Sequence, residues 1–110
     1  MNYECHVTGT VRADEITPGT LVRLRHIFSG YNAARWVRVG MLLTDDRGHI
    51  IPIRWDGRPV DVDDADNPIA WDPGTLFETA ELLDRVQEQR LRALARKWAV
   101  RRYRQHLTQK

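Results

Sequence analysis

The sequence predicts an α+β chain: a small curled antiparallel sheet over residues 3–62, an acidic connector over 63–74 and one long basic helix over 75–107. Three observations lead to this. Apolar and polar residues alternate with a period of two through the first half, as half-buried strands require. Gly, Pro and Asp punctuate that half at short intervals, whereas no Gly or Pro follows Gly74. The last fifth is basic: from Arg90 to Lys110 there are eight cations and no carboxylate, although the whole chain is only +2.

The strands can be taken in order. Tyr3, Cys5, Val7 and Val11 share one parity and Glu4, His6, Thr8 and Thr10 the other, with Gly9 marking a bulge or bend. Ala13-Asp14-Glu15 reads as a loop and Thr17-Pro18-Gly19 as a tight turn. A second strand, Thr20 to Phe28, is ended by Ser29-Gly30-Tyr31-Asn32. The third, Arg35 to Thr44, is rich in strand formers such as Trp36, Val37 and Val39. Asp45-Asp46-Arg47-Gly48 supplies a hairpin loop into a fourth strand, His49 to Trp55, where Pro52 indicates an edge or a bulge. Asp56-Gly57 is a strong hairpin signal and leads to a short fifth strand near 58–62. About five short strands with tight turns fit a small antiparallel β-barrel or curled sheet, SH3-like or OB-like.

Residues 61–73 lose this periodicity and hold Asp61, Asp63, Asp64, Asp66 and Asp72; Ile69 and Trp71 are expected to pin the segment. The helix is expected to start after Pro73-Gly74, with Thr75 and Glu78 as a capping box. Thirty-three residues would span roughly 50 Å, enough for part of it to project. Leu76, Ala80, Leu83, Leu91, Leu94 and Trp98 form one apolar stripe; Leu82, Val86, Ala93, Val100 and Leu107 form a second. The first predicts Leu83, Leu91, Leu94 and Trp98 buried against the sheet, with Arg85, Arg92 and Arg96 exposed. The second calls for another surface, such as a second copy of the chain in a homodimer, or a partner.

Bulk properties narrow the function classes. A chain of 110 residues fits a single domain, and no apolar run approaches the roughly 18 residues that a membrane span needs. The segment MNYECHVTGT lacks a basic stretch followed by an apolar one, so no export signal is read and a cytoplasmic location is expected. The lone Cys5 forms no internal disulfide. Fifteen arginines against two lysines point to a GC-rich genome, actinobacterial or that of a phage.

Catalytic and metal signatures are not seen. Cys5, His6, His26 and His49 have no zinc-ligand spacing. The aspartate run departs from the calcium-loop pattern, with Ala65 at its fifth position and Asp66 where Gly is required. There is no nucleophile elbow, P-loop or Gly-rich phosphate cradle. The expectation is a non-enzymatic protein without metal or cofactor. A membrane partner is not expected, because the basic face lacks apolar anchors.

The basic run instead points to an acidic macromolecule. Candidate contacts are Arg92, Arg96, Lys97, Arg101, Arg102, Arg104 and Tyr103 on the helix. Arg23, Arg25 and Arg38, with Arg35, Tyr31 and Trp36, could add a basic aromatic face on the sheet. The functional expectation is a nucleic-acid-binding accessory or regulatory protein that uses the helix on phosphate. The alternative is a protein–protein adaptor or inhibitor, virus-encoded in one version, that docks the basic helix or the acidic loop on a host protein.

Overall fold

Two antiparallel sheets, rather than a closed barrel, are built by residues 4–25 and 34–108, which the computed structural model describes. In chain order the strands are β1 (Cys5–Arg12), β2 (Leu21–Arg25), β3 (Ala34–Arg38), β4 (Met41–Thr44), β5 (Ile50–Ile53) and β6 (Leu76–Leu82), followed by helix α1 (Arg85–Thr108). One sheet has the order β1-β6-β2-β3; the other pairs β4 with β5. Tyr31 and the Ser29–Asn32 break lie outside the described residues, as do Lys110 and the Arg25 side chain.

The main correction concerns residues 76–82. They are not the first turns of a helix but a strand in the interior of the larger sheet, and the helix starts ten residues later than expected. β6 pairs with β1 from Cys5↔Leu82 to Arg12↔Leu76, and with β2 at Leu21↔Ala80 and Val22↔Thr79. Helix-favouring residues such as Ala80, Glu81 and Leu82 give way to the two strand neighbours, since a backbone preference of a few tenths of a kcal/mol per residue is easily overridden by packing. The capping box at Thr75 and Glu78 therefore caps nothing. The true cap is Asp84, whose Oδ1 accepts the Gln87 N–H at 3.0 Å. Twenty-four residues give a helix of roughly 36 Å rather than 50 Å.

Other expectations divide in the same concrete way. Gly9 does mark a bulge, with the β1–β6 register shifting between Val7 and Gly9. The expected third strand breaks at Val39-Gly40, where the chain passes between sheets: Val39 N–H donates to Thr20 O at 2.9 Å and Gly40 N–H to Ile53 O at 2.8 Å. The 45–48 hairpin forms, with Asp45 Oδ1 accepting the N–H groups of Arg47 and His49. The fifth strand shrinks to isolated bridges, Ile53↔Pro59 and Val62↔Pro68. Trp71 pins the acidic connector, buried and bridged to Ile50; Ile69 does not, being 38% exposed.

The core gathers Ala13, Ile16, Val22, Leu24, Val39, Ile50, Val60 and Trp71, with Val11, Val37, Leu42 and Phe77 at its margin. Trp71 and Phe77 have ring centroids 4.3 Å apart, a close contact just short of the roughly 4.5–7 Å usual for aromatic pairs.

Helix α1 crosses the end of the larger sheet where β2 begins and β3 and β6 end. It sits on backbone rather than on leucines. A Cβ on Gly40 would collide with Ala99 and lie 2.8 Å from Ala95 O; one on Gly57 would lie 2.7 Å from the Arg102–Tyr103 backbone. Gly19 is in similar contact with Arg92. The docking face is accordingly small and polar: Ala95, Ala99 and Glu88 are the buried residues of α1. The predicted leucine stripe is corrected on this point. Leu83 and Leu94 are exposed, Leu91 and Trp98 are half-buried, and Arg92 is half-buried rather than exposed.

Candidate functional site

The inner side of α1 is an ion-pair network. Glu88 is 1% exposed. Arg38, the last residue of β3, grips it with both arms: Nη1 to Oε2 at 2.8 Å and Nη2 to Oε1 at 3.0 Å. The same Arg38 Nη1 donates to Gly19 O at 3.0 Å. The Leu82 N–H donates to Glu88 Oε1 at 3.0 Å, and Arg92 Nε reaches Oε2 at 3.3 Å. Arg92 also approaches Glu81 Oε1 and Thr20 Oγ1, each at 3.5 Å. One carboxylate thus ties the helix to β3 and β6, and the two arginines that hold it reach Gly19 and Thr20 before β2.

This environment sets the charge state of Glu88. Burial alone would raise its pKa. The Arg38 hydrogen bonds, the Leu82 N–H and the charges of Arg38 and Arg92 outweigh burial and hold the carboxyl below its ordinary value. Two cations named as candidate contacts, Arg38 and Arg92, are therefore occupied inside the protein. Arg23 is also engaged: Nη1 bonds Glu78 at 3.1 Å, and its guanidinium lies 5.8 Å from the Trp36 ring centroid.

The remaining arginines and lysine of α1 from Arg90 onward differ. Arg90, Arg96, Lys97, Arg101, Arg102 and Arg104 are all exposed, and among the described residues none of them forms an ion pair. At about 100° per residue, Arg90, Lys97, Arg101 and Arg104 fall within about 40° of the direction opposite Glu88. They span roughly 21 Å along the helix. Tyr103 is half-buried beside Gly57. Arg101 and Arg102 each place a guanidinium 5.3 Å from the Trp98 ring centroid.

The aspartates from Asp56 to Asp72 form no ion pair with α1 among the described residues. Asp56 pairs with Arg54 at 2.7 Å, Asp61 accepts from Trp71 Nε1 at 3.2 Å, and Asp63 accepts the N–H groups of Ala65 and Asn67. Asp56 and Asp63 are engaged within their own turns and Asp61 across to Trp71.

Sequence reasoning found the Asp56-Gly57 turn, which forms with Gly57 N–H donating to Arg54 O, but missed Glu88 and the exposure of Trp55 and Arg58 on that turn. Glu88 stands four residues before Arg92, the spacing of an ordinary surface ion pair on a helix. Its only sequence signal was that a lone late carboxylate precedes the basic run, three residues after the helix begins.

Among the described residues, no helix is long and apolar enough to cross a membrane. Comparisons with protein-family models, curated proteins and solved structures found no match to this chain.

Proposed function

We propose that this is a non-enzymatic nucleic-acid-binding protein of accessory or regulatory type, with the exposed cations of α1 contacting phosphate. One observation carries the reading. Six exposed cations stand on one helix without an ion pair among the described residues, while Arg38 and Arg92 are neutralised by Glu88. Unpaired like charges at this density repel one another, and a polyanion relieves that repulsion while releasing its condensed counterions. Phosphate contacts of this kind position a protein without reading sequence. Arg96, Lys97, Arg101, Arg102 and Arg104 are the phosphate contacts in this reading. Affinity capture of the tagged protein from a cell lysate, with and without nuclease, tests it. Nucleic acid that co-purifies and is lost on digestion is the expected result; protein partners retained after digestion, with no nucleic acid, would contradict it.

A second reading, an adaptor docking the basic helix on an acidic protein face, draws support from the first turn of α1. Val86 is 80% exposed there, beside exposed Leu83. An apolar anchor next to cations suits a protein interface.

A further inference from the structure

Trp55 stands on a turn built to hold it still. Arg54 N–H donates to Arg58 O at 2.9 Å and Gly57 N–H to Arg54 O at 2.9 Å, closing the turn across its base. Inside it, Arg54 Nε donates to both Asp56 oxygens at 2.8 Å, and Asp56 Oδ1 also accepts the Arg58 N–H at 3.1 Å. Gly57 has φ +82°, and its buried Cα rests on the Arg102–Tyr103 backbone of α1. The turn is thus clamped from within and seated on the basic part of the helix. Trp55, two residues before that contact, is nevertheless 58% exposed. Arg58, one residue after it, is exposed, with no ion pair among the described residues.

The two tryptophans near this seat differ. Trp98 is half-buried, with the guanidiniums of both Arg101 and Arg102 at its ring. No ring or cation–π contact involves Trp55 among the described residues. A large exposed aromatic on a rigid mount, next to unpaired arginines, is the combination that single-stranded nucleic acid uses: bases stack on the ring while cations track the backbone. A duplex keeps its bases stacked on each other and offers no free base face to such a ring.

We propose that Trp55 is a stacking platform for an unpaired base, with Arg58, Arg101 and Arg102 holding the flanking phosphates, so that the protein prefers single strands to duplex. This rests on the phosphate-binding reading of α1 and deepens it. The charge complementarity between these arginines and phosphate argues for a nucleic-acid occupant rather than an acidic peptide, which would leave the ring without a matching base face.

The test measures binding of wild-type protein, Trp55→Ala and Trp55→Phe to a fluorescently labelled oligothymidylate and to a duplex of equal length, at about 50 mM salt. Stacking of one base predicts that Trp55→Ala lowers the ratio of single-strand to duplex affinity by about 5- to 150-fold. Trp55→Phe should retain most of the preference, because it keeps a ring. A thermal melt of each variant matching wild type confirms folding, as expected for a side chain this exposed. An unchanged ratio in Trp55→Ala, with both probes still bound, would overturn the platform and leave the helix reading standing. Wild-type protein that binds neither probe would overturn the helix reading itself and leave α1 to an acidic protein surface.

Discussion

Arg38 and Arg92 on the inner side of α1, and Arg90, Lys97, Arg101 and Arg104 on its outer side, carry the same charge in two environments. Inside, two guanidiniums converge on one nearly inaccessible carboxylate, with backbone groups completing its hydrogen bonds. Outside, cations face solvent with no carboxylate on the helix beyond Glu88. The comparison shows that the number of arginines on a helix says little about their role. The inner pairs fix where the helix sits, because a buried charge must be compensated. Of the outer ones, Arg101 lies over the Trp98 ring, while Arg90, Lys97 and Arg104 form no ion pair or cation–π contact among the described residues and are available to a ligand.

Removing the shared carboxylate should break the inner face most severely. Glu88→Ala leaves Arg38 and Arg92 without their acceptor and is expected to destabilise by about 3–5 kcal/mol, measured by urea denaturation. A loss below about 1 kcal/mol would mean that the network does not hold the helix.

The helix seat is the next target. Gly40→Ala forces a Cβ against Ala99 and Ala95 O, two pieces of α1 that cannot retreat as a flexible side chain would. An overpacking penalty of about 1–3 kcal/mol is expected. An unchanged melting temperature would show that α1 does not rest on this position.

Acid acts on the inner face as well. Glu88 and Asp56 are both held below their ordinary pKa: for each, burial pushes upward and is outweighed by an arginine and a backbone N–H. A depressed folded-state pKa contributes stability that is present above the unfolded value, near 4 for carboxyls, and lost as pH falls through the folded one. Unfolding free energy should therefore drop as pH falls below about 4. Glu88→Gln, which cannot ionise, should start less stable and show a shallower drop. Equal pH slopes in the two proteins would show that Glu88 is not the titrating group.

The smallest effect belongs to the outer face. Combined Arg90→Ala, Lys97→Ala and Arg104→Ala should change stability by no more than about 0.5 kcal/mol per site, because exposed charges without partners support little of the fold. A larger loss would reveal a structural role for those cations.

These features were unequally visible in the sequence. The bulge at Gly9, the 45–48 hairpin, the buried Trp71 and the basic run were legible because each depends on local chemistry. Strand β6 was not. Leu76 to Leu82 contains good helix formers and no breaker before Lys110, so the helical pattern extended too far back. What decides its structure is pairing with β1 and β2, which lie more than 50 residues away in sequence. The boundary did leave a trace: Asp84 and Gln87 have the capping-box spacing that Thr75 and Glu78 imitate. The docking face was misjudged because hydrophobic periodicity weights leucine. Here the contact is made by Ala95, Ala99 and three glycines, which permit close backbone approach and carry little hydropathic signal. Glu88 and Trp55 gain their meaning only from tertiary placement, one from burial and the other from the Gly57 contact.

Phosphate binding by the exposed cations of α1 underlies the proposed function. It is tested most directly by the salt dependence of affinity for a nucleic acid, comparing wild type with Arg96→Ala/Arg101→Ala/Arg102→Ala/Arg104→Ala. Each lost phosphate contact should reduce the slope of log K against log salt by about 0.7 to 0.9, so the quadruple variant should be flatter by about 3. Equal slopes in the two proteins, or no salt-sensitive binding by wild type at about 50 mM salt, would contradict the claim.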